Sequence, residues 1–241
     1  MLDWLTAHPI AHRGLHDAGA GIIENTPSAF LAAITSGYGI ECDLQITGDG
    51  EAMVHHDDAL GRLTEGAGRL EAMTAATLKR VRFKATADRM LTLGELCDLV
   101  AGRAPLVIEL KGRFNGDNRV AERATEVLAA YSGPAALMSF DPGLIAAVRA
   151  RAPAIAGGLV GMRRDPSSPT ADVSVWRYAS QVFAARPQFL AYRVADLTTV
   201  PPIVARRIFH RPVLTWTVRT PADRDMAARH ADQMIFEGFR P

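Results

Sequence analysis

Eight short apolar runs recur along the chain, near 8–12, 39–44, 105–110, 135–139, 154–160, 188–193, 212–218 and 233–236, with helix-forming segments between them. Runs of this length suit strands buried on both faces of a parallel sheet, where each strand needs a crossover helix to reach the next. Eight such units predict one (β/α)8 TIM barrel. A chain of 241 residues, 48% of them hydrophobic, has the length and apolar mass for it, so the expected domain spans 1–241.

The helix starts agree with this rhythm. Thr26-Pro27, Asp141-Pro142 and Thr220-Pro221 with Asp223 each set an N-cap oxygen before a proline at the first helical position. Over 117–131, Val120, Ala124, Val127, Leu128 and Tyr131 fall on one helical face, as an outer helix lying on a barrel requires. The rhythm breaks at about 57–90, where Gly61, Gly66 and Gly68 accompany two basic clusters ahead of a helix near 93–100. This stretch reads as a small insertion after the second strand, either substrate-facing or an ordinary long surface loop. A second irregular stretch, 163–169, reads as a loop at a barrel end.

Polar groups gather where the apolar runs end: Ala11-His12-Arg13-Gly14, Glu41-Cys42-Asp43, Val54-His55-His56-Asp57 and Ile108-Glu109-Leu110-Lys111. The C-terminal ends of parallel strands are where such barrels keep their chemistry. Residues two apart in a strand share a face, so Glu41 and Asp43 point one way with Cys42 opposite, and Glu109 and Lys111 obey the same parity. Adjacent carboxylates repel unless a proton or cation lies between them, and a divalent metal is the economical explanation.

These residues resemble the glycerophosphodiester phosphodiesterases, of the same superfamily as the phosphatidylinositol-specific phospholipases C. The resemblance runs through His12-Arg13-Gly14, Glu24-Asn25-Thr26, Glu41-Cys42-Asp43-Leu44 with Thr47, Asp49 and Gly50, His56-Asp57 and Glu109-Leu110-Lys111. It continues in Ser139-Phe140-Asp141-Pro142 and Trp216-Thr217-Val218. It implies that Glu41, Asp43 and Glu109 hold a divalent cation, and their hard oxygen donors suit Mg²⁺, Ca²⁺ or Mn²⁺ rather than zinc. It also implies that His12 and His56 are the proton-transfer pair, a task imidazole suits near neutral pH. His55, next to His56 but facing the other way in an extended segment, is read as a spectator, and His8, His16, His210 and His230 as structural.

Arg13 and Lys111 are candidates for the nonbridging phosphate oxygens, or for neutralising Glu41 and Glu109. Glu24 is expected to orient the metal site or a substrate hydroxyl, and Asn25 to cap. Trp216 is a candidate wall for a substrate head group, with core packing an equal account. The chain departs from the family in its last strand, where Ile235-Phe236-Glu237-Gly238 replaces a Thr-Asp pair, and Glu237 stands as the candidate substitute for the aspartate.

A formal charge of +1, without a block of like charges, argues against a nucleic-acid groove or a polybasic membrane patch. Cys42 and Cys97 are too few for a disulfide framework and lack zinc-ligand spacing. The first ten residues lack the features of a secretory signal, and no run is long enough to span a bilayer, so a cytoplasmic protein without stable membrane insertion is expected. The resulting expectation is metal-dependent hydrolysis of a small glycerophosphodiester to sn-glycerol 3-phosphate and an alcohol. The rivals are a lysophospholipase D or phospholipase C type of enzyme on lipid phosphodiesters, a glycosidase with paired carboxylates, and a noncatalytic phosphate-binding barrel.

Overall fold

The computed structural model describes residues 2–165, 168–172 and 174–241, with side chains outside 164–173. Its strands are β1 (Ile10–Ala11), β2 (Gly39–Ile46), β3 (Ala52–Val54), β4 (Leu106–Leu110), β5 (Ala135–Ser139), β6 (Ala156–Gly161), β7 (Arg164–Asp165), β8 (Ser168–Asp172), β9 (Phe189–Arg193), β10 (Val213–Val218) and β11 (Gln233–Phe236). The helices are α1 (Asp3–Thr6), α2 (Pro27–Thr35), α3 (Ala75–Leu78), α4 (Leu93–Val100), α5 (Arg119–Leu128), α6 (Pro142–Arg151), α7 (Val175–Ala185), α8 (Val200–Arg207) and α9 (Pro221–His230). Eight strands, β1, β2, β4, β5, β6, β9, β10 and β11, pair in parallel, and β1 closes the ring by pairing with both β2 and β11. The result is the expected (β/α)8 barrel.

Strand parity separates two cores. Outward side chains such as Ile40, Cys42, Leu44, Ile108 and Leu137 pack with Phe30, Leu96, Val120 and Val148 of the surrounding helices. Inward ones, including Ile10, Val107, Met138, Val160, Phe189 and Leu214, fill the barrel, with Leu5 of α1 among them. Phe189 is fully buried there, and Gly158 makes room for it, since a Cβ at that position would stand 2.2 Å from the ring. Burial of both strand faces explains why the sequence runs are continuously apolar.

The helix caps behave mostly as read. Asp141 accepts a hydrogen bond from the Gly143 amide, and Thr220 with Asp223 completes a capping box. Thr26 precedes α2 with an extended backbone, but its hydroxyl donates to the Ile23 carbonyl at 2.7 Å instead of accepting from the helix. Residues 163–169 were expected as loop; β7 and β8 there pair as an antiparallel hairpin, with residues 166 and 167 outside the described ones.

The stretch after β2 turns back as β3, which pairs antiparallel with the end of β2 through Leu44↔Val54 and Ile46↔Ala52. The amide of His55 then donates to the Asp43 carbonyl at 3.0 Å, setting the following residue at the barrel mouth. Beyond it, Leu70, Leu78, Phe83 and Met90 form a small core with Ile23 and Met53, so the insertion is packed rather than loose.

Candidate active site

Three carboxylates share the inner rim because β2 and β4 are in register, with Asp43 opposite Glu109, and Glu41 lies two residues before Asp43 on the same face. One oxygen from each of Glu41, Asp43 and Glu109 lies within 4.8 Å of the others. Glu41 and Asp43 are each only 1% exposed. The Lys111 ammonium, next along the same parity, donates to Asp43 at 2.7 Å and to Glu109 at 2.8 Å.

The loop after β1 supplies the second cation. The Arg13 amide donates to Glu41 Oε2 at 2.9 Å, its guanidinium donates to Glu24 Oε1 at 2.7 Å, and its Nε stands 3.3 Å from Asp43 Oδ2. The Asn25 side-chain amide donates to Asp43 at 2.8 Å, and the Asn25 backbone amide donates to the Arg13 carbonyl at 2.9 Å. Arg13 and Asn25 both adopt left-handed backbone, with φ of 54° and 56°. Such conformations are costly for a residue with a Cβ and persist only where surrounding contacts fix them. Gly14 follows at φ 79°, and a Cβ there would meet the Ala29 backbone at 2.9 Å. The His-Arg-Gly order thus has a steric cause.

His12 Nδ1 lies 2.6 Å from Glu237 Oε2, and its Nε2 lies 4.0 Å from Glu41 Oε2. Glu237 also receives Arg219 at 3.1 Å, with His16 Nε2 at 4.0 Å. His56 Nδ1 lies 2.8 Å from Asp57 Oδ1, and the His56 carbonyl accepts from Gln45. Arg62 bridges Asp57 and Glu24, donating to Asp57 Oδ2 at 2.6 Å and to Glu24 Oε1 at 2.7 Å. His55 turns away, buried against Phe83.

The charges are unbalanced in a way that a cation would correct. Burial alone would raise the Asp43 pKa, but the Lys111 ammonium and the Arg13 guanidinium overcome it and hold this carboxyl well below the usual range. Burial, with Asp43 and Glu109 alongside, pushes Glu41 well above the usual range, and burial likewise raises Glu109. Two buried carboxylates and the partly buried Glu109 face two cations, Lys111 and Arg13, the second shared with Glu24. The donor set is all oxygen, compact and short of positive charge, which fits a hard divalent ion. Burial pushes His12 down, partly offset by its hydrogen bond to Glu237, while that same bond brings the Glu237 carboxyl to about 2. A neutral imidazole donating from Nδ1 to an ionised carboxylate leaves its Nε2 lone pair free to accept.

A cavity of about 610 Å³ at the rim is lined by His12, Arg13, Glu41, His56, Glu109, Lys111 and Trp216. Asp43 lies behind it, engaged by Lys111, Arg13 and Asn25. Trp216 forms a wall edge-on to Phe140, with 5.5 Å between ring centroids, and its indole N–H donates to the Ala191 carbonyl. Glu24 is not part of the lining, because Arg13 and Arg62 occupy its carboxylate. Sequence reasoning missed the contacts of Arg62 and Arg219, which come from a loop and a strand end far along the chain. Glu237 was noted only as a substitute; its position just past β11 is the same rim signal that singled out the other acids.

The model of the glycerophosphoryl diester phosphodiesterase family matches residues 12–238. The Mycobacterium tuberculosis protein named "Probable glycerophosphodiester phosphodiesterase 1" is 28% identical over 92% of this chain and 86% of its own. Among solved structures, an Oleispira antarctica phosphodiesterase in complex with the product sn-glycerol-3-phosphate superposes with a TM-score of 0.79 at 23% identity, covering 97% of this chain and 94% of that one. A Thermotoga maritima glycerophosphodiester phosphodiesterase gives 0.72 at 24% identity, covering 94% and 92%. At these identities the two structures establish the shared barrel.

Proposed function

This chain belongs to the glycerophosphoryl diester phosphodiesterase family, a family of phosphoric diester hydrolases, and we propose that it cleaves glycerophosphodiesters to sn-glycerol 3-phosphate and an alcohol by histidine proton transfer beside a carboxylate-held divalent cation. The observation that carries this reading is the meeting of the His12 and His56 imidazoles with Glu41, Glu109, Arg13 and Lys111 in one cavity of about 610 Å³. The product named for the Oleispira antarctica relative accords with it.

Glu41, Asp43 and Glu109 would hold Mg²⁺, Ca²⁺ or Mn²⁺, which when bound supplies Lewis-acid stabilisation of the charge that develops on the phosphate. Arg13 and Lys111 add fixed positive charge for the nonbridging oxygens. His12, kept neutral by burial and oriented by Glu237, accepts at Nε2 the proton of the nucleophile, either water directly or the neighbouring glycerol hydroxyl, whose cyclic phosphate water then opens. His56, oriented by Asp57, returns a proton to the departing alkoxide as the P–O bond breaks. Trp216 and Phe140 form the apolar wall that limits how the alcohol group sits. Two imidazoles lining one cavity favour catalysis over binding alone.

The test is release of glycerol 3-phosphate from glycerophosphocholine, glycerophosphoethanolamine and glycerophosphoglycerol, with each of Mg²⁺, Ca²⁺ and Mn²⁺ and again with chelator. Metal-dependent release is expected. Turnover that survives complete chelation rejects the cation's part, and no release from any substrate rejects the reaction.

A further inference from the structure

Nine large apolar side chains are exposed among the described residues, and seven of them, Val175, Trp176, Phe183, Val200, Ile203, Ile208 and Phe209, belong to α7, α8 and the two residues after α8. Trp176 is 86% exposed and Phe183 76%. Seven residues apart, these two share one stripe of α7; Val200, Ile203 and Arg207 form the corresponding stripe of α8, which packs beside it. Single exposed apolar residues are ordinary, but a concentration on two neighbouring helices marks an interaction face.

The charge around this face is as skewed as its hydrophobicity. Residues 174–211 contain six arginines against a single acid, Asp196, although the whole chain carries only +1. Arg177 and Arg193 line the catalytic cavities and Arg206 pairs with Asp232 at 2.8 Å, which leaves Arg186, Arg207 and Arg211 for this face. Asp196 is buried, and Arg186, Arg207 and Arg211 are exposed. The Arg186 guanidinium lies over the Phe183 ring at 5.9 Å, so cation and aromatic face outward together. A second copy of the chain meeting this face through a two-fold axis would bring arginines against arginines. An anionic lipid surface answers both properties: tryptophan, phenylalanine and isoleucine enter the boundary of head groups and acyl chains while arginines meet the phosphates.

The inner side of the same helix faces the site. Arg177, Tyr178 and Gln181 of α7 line a cavity of about 820 Å³ that also includes His56, Glu109 and Lys111. We propose that the outer face of α7 and α8 docks this protein peripherally on anionic bilayers, with α7 as the wall between lipid surface and catalytic mouth. Docking there sets the cavity about one helix diameter, ~10 Å, from the lipid. No helix among the described residues is long and apolar enough to cross a membrane, so the attachment is to the surface.

Co-sedimentation of the full chain with vesicles tests this without relying on turnover, so its outcome is separable from the reaction proposed above. Phosphatidylcholine vesicles are compared with vesicles of phosphatidylcholine and phosphatidylglycerol in equal parts. Binding to the mixed vesicles is expected to be tenfold or more tighter, to weaken with salt, and to move the Trp176 emission to shorter wavelength. The double substitution Trp176→Ser/Phe183→Ser should lower that binding about tenfold or more while leaving far-ultraviolet circular dichroism and the melting temperature unchanged. Arg186→Glu/Arg207→Glu, which spares the apolar residues, should remove the preference for anionic lipid. Equal binding to both vesicle types, or binding that survives the first double substitution, overturns the proposal. So does a wild-type dimer in sedimentation velocity that the same substitution dissolves, since the face would then belong to a second copy.

Discussion

Glu237 Oε2 stands 2.6 Å from His12 Nδ1 across 225 residues of sequence, and Arg219 closes on the same carboxylate at 3.1 Å. The contact fixes which imidazole nitrogen carries the proton and aims the other at Glu41 and the cavity. Glu237→Gln keeps the shape of the contact and removes its charge. We expect kcat to fall about ten- to hundredfold, part of the ~10²–10⁴ that a positioned base contributes. Because the carboxylate partly offsets the burial that lowers the His12 pKa, the acid limb of the pH–rate profile should move to lower pH. An unchanged profile would separate Glu237 from the base.

Removing a carboxylate from the trio should separate folding from turnover. Glu41→Ala is expected to abolish metal-dependent activity, a loss of at least ~10²-fold, while circular dichroism stays native. Because burial and the neighbouring acids raise the Glu41 pKa, protons compete with the cation more strongly than at an ordinary carboxylate. Apparent metal affinity of the wild type should therefore fall as pH is lowered, as titration calorimetry would record. Unaltered metal dependence in Glu41→Ala would defeat the ligand assignment.

The histidines should part company with the metal. His12→Ala and His56→Ala are each expected to lose about 10²–10⁴ in kcat yet bind the cation as the wild type does, measured calorimetrically. Normal turnover in either variant removes that residue from proton transfer.

Gly14 is required by both torsion and space. Gly14→Ala must carry a Cβ at φ 79° and within 2.9 Å of the Ala29 backbone. The expected loss is about 2 kcal/mol or more, seen as a melting temperature lower by roughly 4–8 °C. A melting curve superposable on the wild type would contradict the close approach.

Arg62 ties Asp57 to Glu24, and acid stability should report the tie. Burial alone would raise the Asp57 pKa, but hydrogen bonds from Arg62 and His56 bring it from 3.8 down to about 2. A depressed carboxyl contributes stability that is fully present above its unfolded pKa and is lost as pH falls through the folded one. Arg62→Ala should therefore be less stable than wild type at pH 7, with the difference closing between pH 3.8 and about 2. Arg62 is 45% exposed, so solvent screening limits the effect to about 1 kcal/mol or less in denaturant titrations.

Much of this was legible in the chain because a barrel strand writes its environment into its residues. Ile40, Cys42 and Leu44 alternate with Glu41 and Asp43, and period-two geometry assigns the first set to the helix layer and the second to the barrel mouth. The cap-and-proline pairs ending in Pro27, Pro142 and Pro221 likewise announced α2, α6 and α9, since within a helix proline fits the first turn. The Thr26 hydroxyl was the exception, drawn to the Ile23 carbonyl by a turn that local sequence does not reveal.

What sequence alone determined was therefore periodic or adjacent: the number of parallel barrel strands, inward parity, and the residue types ending those strands. What only tertiary structure decided was which distant groups meet. Glu237 reaches His12 because barrel closure sets β11 beside β1, and Arg62 reaches Glu24 because the insertion packs its own core beside Ile23. The apolar face of α7 and α8 also needed the fold, since only the burial of Tyr178 and Ala205 shows which side of each helix faces the barrel. Local periodicity follows from backbone geometry, whereas contacts across the chain depend on closing the ring, a condition no single segment encodes.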